Sequence, residues 1–168
     1  MDASQLKALQ TPLKEKYRAD PPSAVVTLRA RGQATGLSCK VETGKALIEA
    51  GLHPATGGDG MLACSGDMLL EALVACAGVT LRAVATSIGV ELRDAHILAE
   101  GDLDFRGTLG VSKEAPVGFT KIRLSFDLDT DASAEQQATL LRLTERYCVV
   151  LQTLRSPPEV TAAISPGR

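Results

Sequence analysis

The chain has no tryptophan, only two tyrosines, three phenylalanines and two histidines among 168 residues. With aromatics at 3%, the core must be assembled from Leu, Val, Ala and Ile, and platforms on which nucleobases stack are excluded. Basic excess is lacking too. Eighteen Lys and Arg stand against 20 Asp and Glu, a net charge of −2, so no positive field gathers phosphates or anionic lipid. Neither nucleic acid nor a membrane is an expected partner. A run of about 20 apolar residues, enough to span a bilayer, is also missing. The longest apolar or small stretch, "ALVACAGVTL" at 72–81, is closed by Glu71 and Arg82. The opening "MDASQLKALQTPLKEKYRADPPS" lacks the apolar segment of a secretory signal and reads as a mature cytoplasmic start. No C-x-x-C pair occurs, so Cys39, Cys64, Cys76 and Cys148 are read as free or catalytic thiols of a reducing compartment.

Hydrophobic residues make up 45% of a chain long enough to bury one sizeable core, and no composition shift marks a second domain. Residues 1–23 are read as an N-terminal helix and linker, and residues 24–164 as a single domain. The helix is expected over 4–18, capped by Ser4 and broken or kinked at Pro12. "AVVTLRAR" (24–31) alternates as a half-buried strand, and "GLSCKVET" pairs back onto it after a turn over Gly32–Gly36. "GLHPATGGDG" (51–60) is a loop. From Ser65 as N-cap to Gly89, "SGDMLLEALVACAGVTLRAVATSIG" is a helix of about six turns with Asp67 in its first turn. "HILAEGDLDF" (96–105) and "KIRLSFDL" (121–128) alternate as antiparallel strands with one wet face. "SAEQ" (133–136) is a capping-box signature. It opens a helix with Leu140, Leu143, Tyr147, Val150 and Leu154 on one stripe, ended by Pro157 and Pro158. "EVTAAI" is assigned a last short strand. Strands, helix, strands, helix is an α+β order.

Cys76 lies amid Ala72, Leu73, Val79 and Thr80, a setting that raises a thiol pKa, and Ser65 is too far along the helix for its dipole to compensate. An active Cys76 therefore needs a cation from another segment; otherwise it is a small core hydrophobe. Arg18, Arg29 and Arg31 are the candidates, with solvated surface charges as the plainer reading. Arg82 and Glu71 lie off the cysteine's face. Cys148, 72 residues on, meets Cys76 only if the two helices pack. His53 is the better partner for a Cys-His acyl-transfer site, His96 the poorer, and the bland reading is a loop histidine. Cys39, His53, Cys64 and Cys76 match no zinc spacing, and "GGDG" lacks the ending of a phosphate loop. No metal or cofactor is expected.

"SGDMLLEALVACAGVTLRAVA" followed far downstream by "ERYCVVLQTL" resembles the OsmC/Ohr family of osmotically inducible and organic hydroperoxide resistance proteins, over residues 24–164. The resemblance implies antiparallel sheets around a long buried central helix, in an intertwined homodimer. It assigns Cys76 as the peroxidatic and Cys148 as the resolving cysteine of a thiol peroxidase. The implied substrate is an organic hydroperoxide and the implied reductant an external dithiol. Many members begin the central helix with Asn-Pro-Glu, whose Glu pairs with an activating Arg. Here the stretch is "CSGDM", so Asp67 is the acidic substitute and Arg18 or Arg31 the implied cation. Val149 replaces a proline common after the second cysteine. A same-fold module that binds a small apolar ligand without redox chemistry is the alternative.

Overall fold

The structure, a computed structural model, describes residues 2–20, 31–35, 38–42, 47–110 and 112–164. The first element, α1 (Ala3–Ala19), is capped two residues earlier than the expected Ser4. Asp2 is the cap: its carboxylate accepts the Gln5 N–H at 2.8 Å, while the Gln5 side chain accepts the Asp2 N–H at 2.9 Å. The helix runs through Pro12, since proline deprives a helix of only one N–H donor when the turns on either side persist. The predicted strand over 24–31 lies outside the described residues except for Arg31.

Strands β1 (Arg31–Thr35), β2 (Ser38–Glu42) and β3 (Leu47–Gly51) form an antiparallel meander, and β4 (Ala63–Cys64) adds to β3 in parallel. Much of the segment read as a turn at 32–36 is therefore strand. Between β3 and β4, the expected loop contains one 3-10 turn, Pro54–Thr56, capped by the His53 imidazole. Helix α2 (Ser65–Ile88) follows, with Cys64 rather than Ser65 at its N-cap and no side-chain cap bond there. It ends where Gly89 takes φ 72°, the left-handed conformation that glycine adopts without a Cβ penalty.

The second sheet is a hairpin of β5 (Asp94–Leu103) and β6 (Phe119–Asp129). Asp104 and Phe105, read as strand, instead cap and begin the single-turn α3 (Phe105–Thr108), the Asp104 carboxylate accepting the Arg106 N–H. Gly101 leaves room for the Phe119 ring, which lies 2.4 Å from where a Cβ would stand. Alternation sets Ile97, Ala99, Leu124 and Phe126 inward, while the outer face carries ion pairs such as Arg123 with Asp102.

Helix α4 (Ala134–Tyr147) begins on the expected capping box of Ser133 and Gln136. The continuous helix predicted through Leu154 is absent. The chain leaves helical geometry at Cys148 (φ −72°, ψ 107°) and resumes as α5 (Val149–Arg155), so Tyr147 is exposed rather than on a buried stripe. Residues 159–164 are irregular and exposed, not a strand, and pair with no edge among the described residues.

Leu73, Ala77, Leu81, Val84 and Ala85 form the buried stripe of α2, at helical spacing. One end packs with Val90, Leu92 and Leu140, the other with Cys148. By length and hydropathy α2 would pass for a membrane span, yet this stripe is the centre of the domain. Its opposite side, Ala72, Ala75 and Val79, is exposed.

Candidate active site

Cys76 sits midway along α2, half-buried, and Cys148 is fully buried at the junction of α4 and α5. The junction brings them together. In an uninterrupted helix the N–H groups of Val149 and Val150 would bond the carbonyls of Glu145 and Arg146, four residues earlier. The break at Cys148 takes both donors out of the helix ladder, and both act to lower the pKa of Cys76. The vacated Glu145 carbonyl accepts the Gln152 side-chain amide at 2.7 Å, and an Arg155–Glu145 ion pair at 3.0 Å spans the same gap. Cys148 itself keeps one helical bond on each side, to the Thr144 carbonyl and from the Gln152 N–H, each 2.9 Å.

Four groups lower the Cys76 pKa: the N–H groups of Val150 and Val149, the thiol of Cys148 and the hydroxyl of Thr80. Burial pushes the Cys76 thiol up, but these donors outweigh it and hold the thiol below its ordinary range. Cys148 moves the other way. Its burial raises it, the N–H groups of Leu151 and Val150 oppose this, and donation to a neighbouring thiolate, with that thiolate's charge, keeps its proton on. The pair titrates as a unit in which Cys76 holds the negative charge and Cys148 the proton. Chemically, this is a nucleophilic sulfur with a second thiol in contact, surrounded by Leu73, Ala77, Ile97 and Val150.

The other predicted residues stand elsewhere or outside view. Asp67 is in the first turn of α2, nine residues and about 13 Å along the axis from Cys76. It lines an open groove with Glu71, Val74, Ala75 and Leu98. Arg18 belongs to the last turns of α1, and Arg31 opens β1 opposite Glu42; their side chains, and all of Arg29, lie outside the described residues. Arg82 donates to the Leu92 carbonyl at 2.6 Å and so ties α2 to the following segment. His53 is not beside Cys76. Its ring stacks on Phe105 at 4.8 Å in a cavity of about 410 Å³ that contains Cys64, and its Nδ1 accepts the Ala55 N–H. His96 is on the outer sheet face, 3.2 Å from Asp94. Among the described residues, no three His, Cys, Asp or Glu side chains are grouped to hold a metal. Sequence reasoning missed Thr80 as a donor, although its i+4 spacing from Cys76 announces contact, and missed the two backbone donors entirely.

A half-buried cysteine packed beside a buried second cysteine, on a long helix backed by a β-hairpin, is the arrangement this α+β fold builds. Residues 58–163 match the family described as OsmC-like protein, and the chain belongs to that family. No curated protein sequence matches it. Solved structures share its fold. An OsmC-like protein from Mycoplasma pneumoniae aligns with a TM-score of 0.67 at 14% identity, over 79% of this chain and 89% of that one. An organic hydroperoxide resistance protein from Elizabethkingia anophelis gives 0.64 at 15%, over 80% and 91%. One from Legionella pneumophila, also described as a predicted redox protein, gives 0.62 at 18%, over 79% and 92%.

Proposed function

We propose that the protein is a thiol-dependent peroxidase that reduces organic hydroperoxides, with Cys76 as the peroxidatic and Cys148 as the resolving cysteine. The observation that carries this reading is the donor set at Cys76, in which Cys148 is itself a member. The Cys76 thiolate attacks the terminal oxygen of ROOH; the O–O bond breaks, and with one proton the products are Cys76 sulfenic acid and ROH. The Cys148 sulfur then attacks the sulfenic sulfur, a disulfide forms and water leaves. An external cytoplasmic dithiol reduces it by exchange. The apolar neighbours of Cys76 favour alkyl hydroperoxides over hydrogen peroxide, each buried methylene contributing about 0.8 kcal/mol of binding. The names of the fold's relatives from Elizabethkingia and Legionella agree with this substrate class.

Two further parts belong to the proposal. Arg18 or Arg31 supplies the cation for the Cys76 thiolate, with Asp67 at the helix start as the acidic partner of that Arg. A second protomer covers the exposed Ala72, Ala75 and Val79 side of α2, giving a homodimer; a monomeric mass by light scattering at micromolar concentration would remove this part. The experiment for the reaction is thiol titration before and after one equivalent of cumene hydroperoxide, with two substitutions. Wild type loses two thiols rapidly. Cys76→Ser consumes no peroxide even in the first turnover. Cys148→Ser completes that turnover and accumulates a sulfenic acid that a dimedone probe traps. Wild type that consumes no peroxide and keeps both thiols would leave the protein as an apolar-ligand module of the same fold, and full activity in Cys76→Ser would remove Cys76 as the reacting thiol.

A further inference from the structure

We propose that Gln152, with Arg155 behind it, is a positioning residue for Cys148: the two side chains hold Glu145 from across the α4–α5 junction and keep the helix broken at the cysteine. What this does for turnover rests on the peroxidase reading; its hold on the backbone does not. The Gln152 amide donates to the Glu145 carbonyl at 2.7 Å, and the Arg155 guanidinium meets the Glu145 carboxylate through two bonds of 3.0 and 3.3 Å. Both contacts exist only in the broken arrangement. In a straight helix residues 152 and 155 would stand about 10 and 15 Å along the axis from residue 145, and the Val149 N–H would occupy its carbonyl. Nothing else in the local sequence makes the break. Residues 145–152, ERYCVVLQ, contain neither proline nor glycine, and valine keeps its N–H.

The turn is small in dihedral terms. Cys148 keeps a helical φ of −72° and departs only in ψ, which is 107°. On either side the ladder is intact, with the Cys148 N–H on the Thr144 carbonyl and the Gln152 N–H on the Cys148 carbonyl, each 2.9 Å. One rotation therefore separates the observed junction from a straight helix. That rotation would redirect all of α5, and with it Leu151 and Leu154, which pack on the cluster of Leu73, Ala77 and Cys148. Burial of Cys148 favours the bend from the inside, and Glu145 is tied to α5 from the outside. Gln152 is exposed, so replacing it removes a bond and leaves the core side chains in place. Its amide–carbonyl bond is the larger of the two contributions, because the Arg155 pair is half open to water. Loss of that bond should move the balance between bent and straight junctions about twofold to tenfold.

The test uses the full chain without peroxide. Gln152→Met keeps the side-chain length and removes the donor, and Gln152→Lys keeps a donor of similar reach. Gln137→Met is the control: it removes a comparable side-chain bond, to the Ala132 carbonyl at 2.8 Å, from the other end of α4. Two readouts are taken. The Cα and Cβ chemical shifts of Cys148 report its ψ, and the equilibrium of the 76–148 disulfide with a glutathione buffer, scored by peptide mapping, reports how well Cys148 is placed. In Gln152→Met the shifts should move toward helical values and the equilibrium constant for forming the disulfide should fall about twofold to tenfold, while Gln152→Lys and Gln137→Met match wild type. Unmoved Cys148 shifts in Gln152→Met overturn the proposal, as does an equal change in Gln137→Met. Cumene hydroperoxide consumption by wild type is followed in parallel. Its absence beside moved Cys148 shifts sinks the peroxidase reading alone; its presence beside unmoved shifts sinks the role of Gln152 alone.

Discussion

Oxidation should stabilise this protein by an amount the positions of its two cysteines set. Cys76 and Cys148 are 72 residues apart in sequence, and a bond between them closes a loop of about 73 residues in the unfolded chain. The chain-entropy relation gives about 4 kcal/mol for a loop of that size, an upper figure because the oxidised site forfeits the hydrogen bonds that now serve the Cys76 thiolate. For a domain of this length each kcal/mol moves the midpoint by about 2–4 °C, so oxidised protein should melt about 10 °C above reduced. Cys148 is already buried against Leu73 and Ala77 with its thiol on Cys76, so bond formation needs little movement of the core. The assay is a thermal melt of three samples: reduced wild type, wild type oxidised by diamide and checked for the 76–148 link by non-reducing peptide mapping, and Cys148→Ser treated identically. Diamide keeps the measurement independent of peroxidase activity. If the linked protein melts at or below the reduced form, the bond strains α2 against the α4–α5 junction and the contact seen here is not a disulfide-ready one.

Ser133→Ala removes the hydroxyl that accepts the Gln136 N–H while the backbone N–H of residue 133 still donates to the Gln136 side chain, and should cost about 1 kcal/mol, read as a lower urea midpoint with unchanged slope. Thr144 is fully buried and its hydroxyl has no partner among the described residues, so Thr144→Val should be neutral or stabilising by up to about 1 kcal/mol; a loss larger than that would mean the hydroxyl is satisfied after all. The pH dependence follows from the thiols. Because Cys76 has a lower pKa folded than unfolded, its contribution is full above the ordinary thiol value of 9.0 and is lost as pH falls through its own lowered value. Stability should thus rise with pH between those two values, and Cys76→Ser should flatten that rise in denaturant titrations. Cys148, raised by burial and by its neighbour, acts in the opposite sense, its contribution fading as pH climbs through its raised value.

Much of this molecule is written in short-range sequence. The α2 helix and its Gly89 stop, the Ser133–Gln136 box and the alternation of β5 and β6 depend on residues within a turn or a strand of one another, where spacing alone decides which face is apolar. The parts that sequence reasoning missed are those whose cause is remote. β3 and β4 are short and depend on the strands they pair with, β3 between β2 and β4 and β4 on β3 alone, so no pattern of their own announces them. The break at Cys148 has neither proline nor glycine to mark it; burial of that cysteine against α2 decides it. Cys76 was legible as a candidate, and so was Cys148, but only the packing of α2 on the α4–α5 junction makes them one site. Asp67, nine residues back on the same helix, lies about 13 Å along the axis from Cys76 by helical rise alone. What lowers the Cys76 pKa includes two backbone N–H groups. Nearly every residue carries one, so side-chain identity cannot reveal which of them will be freed from the helix ladder and turned toward a sulfur; only the tertiary fold decides that.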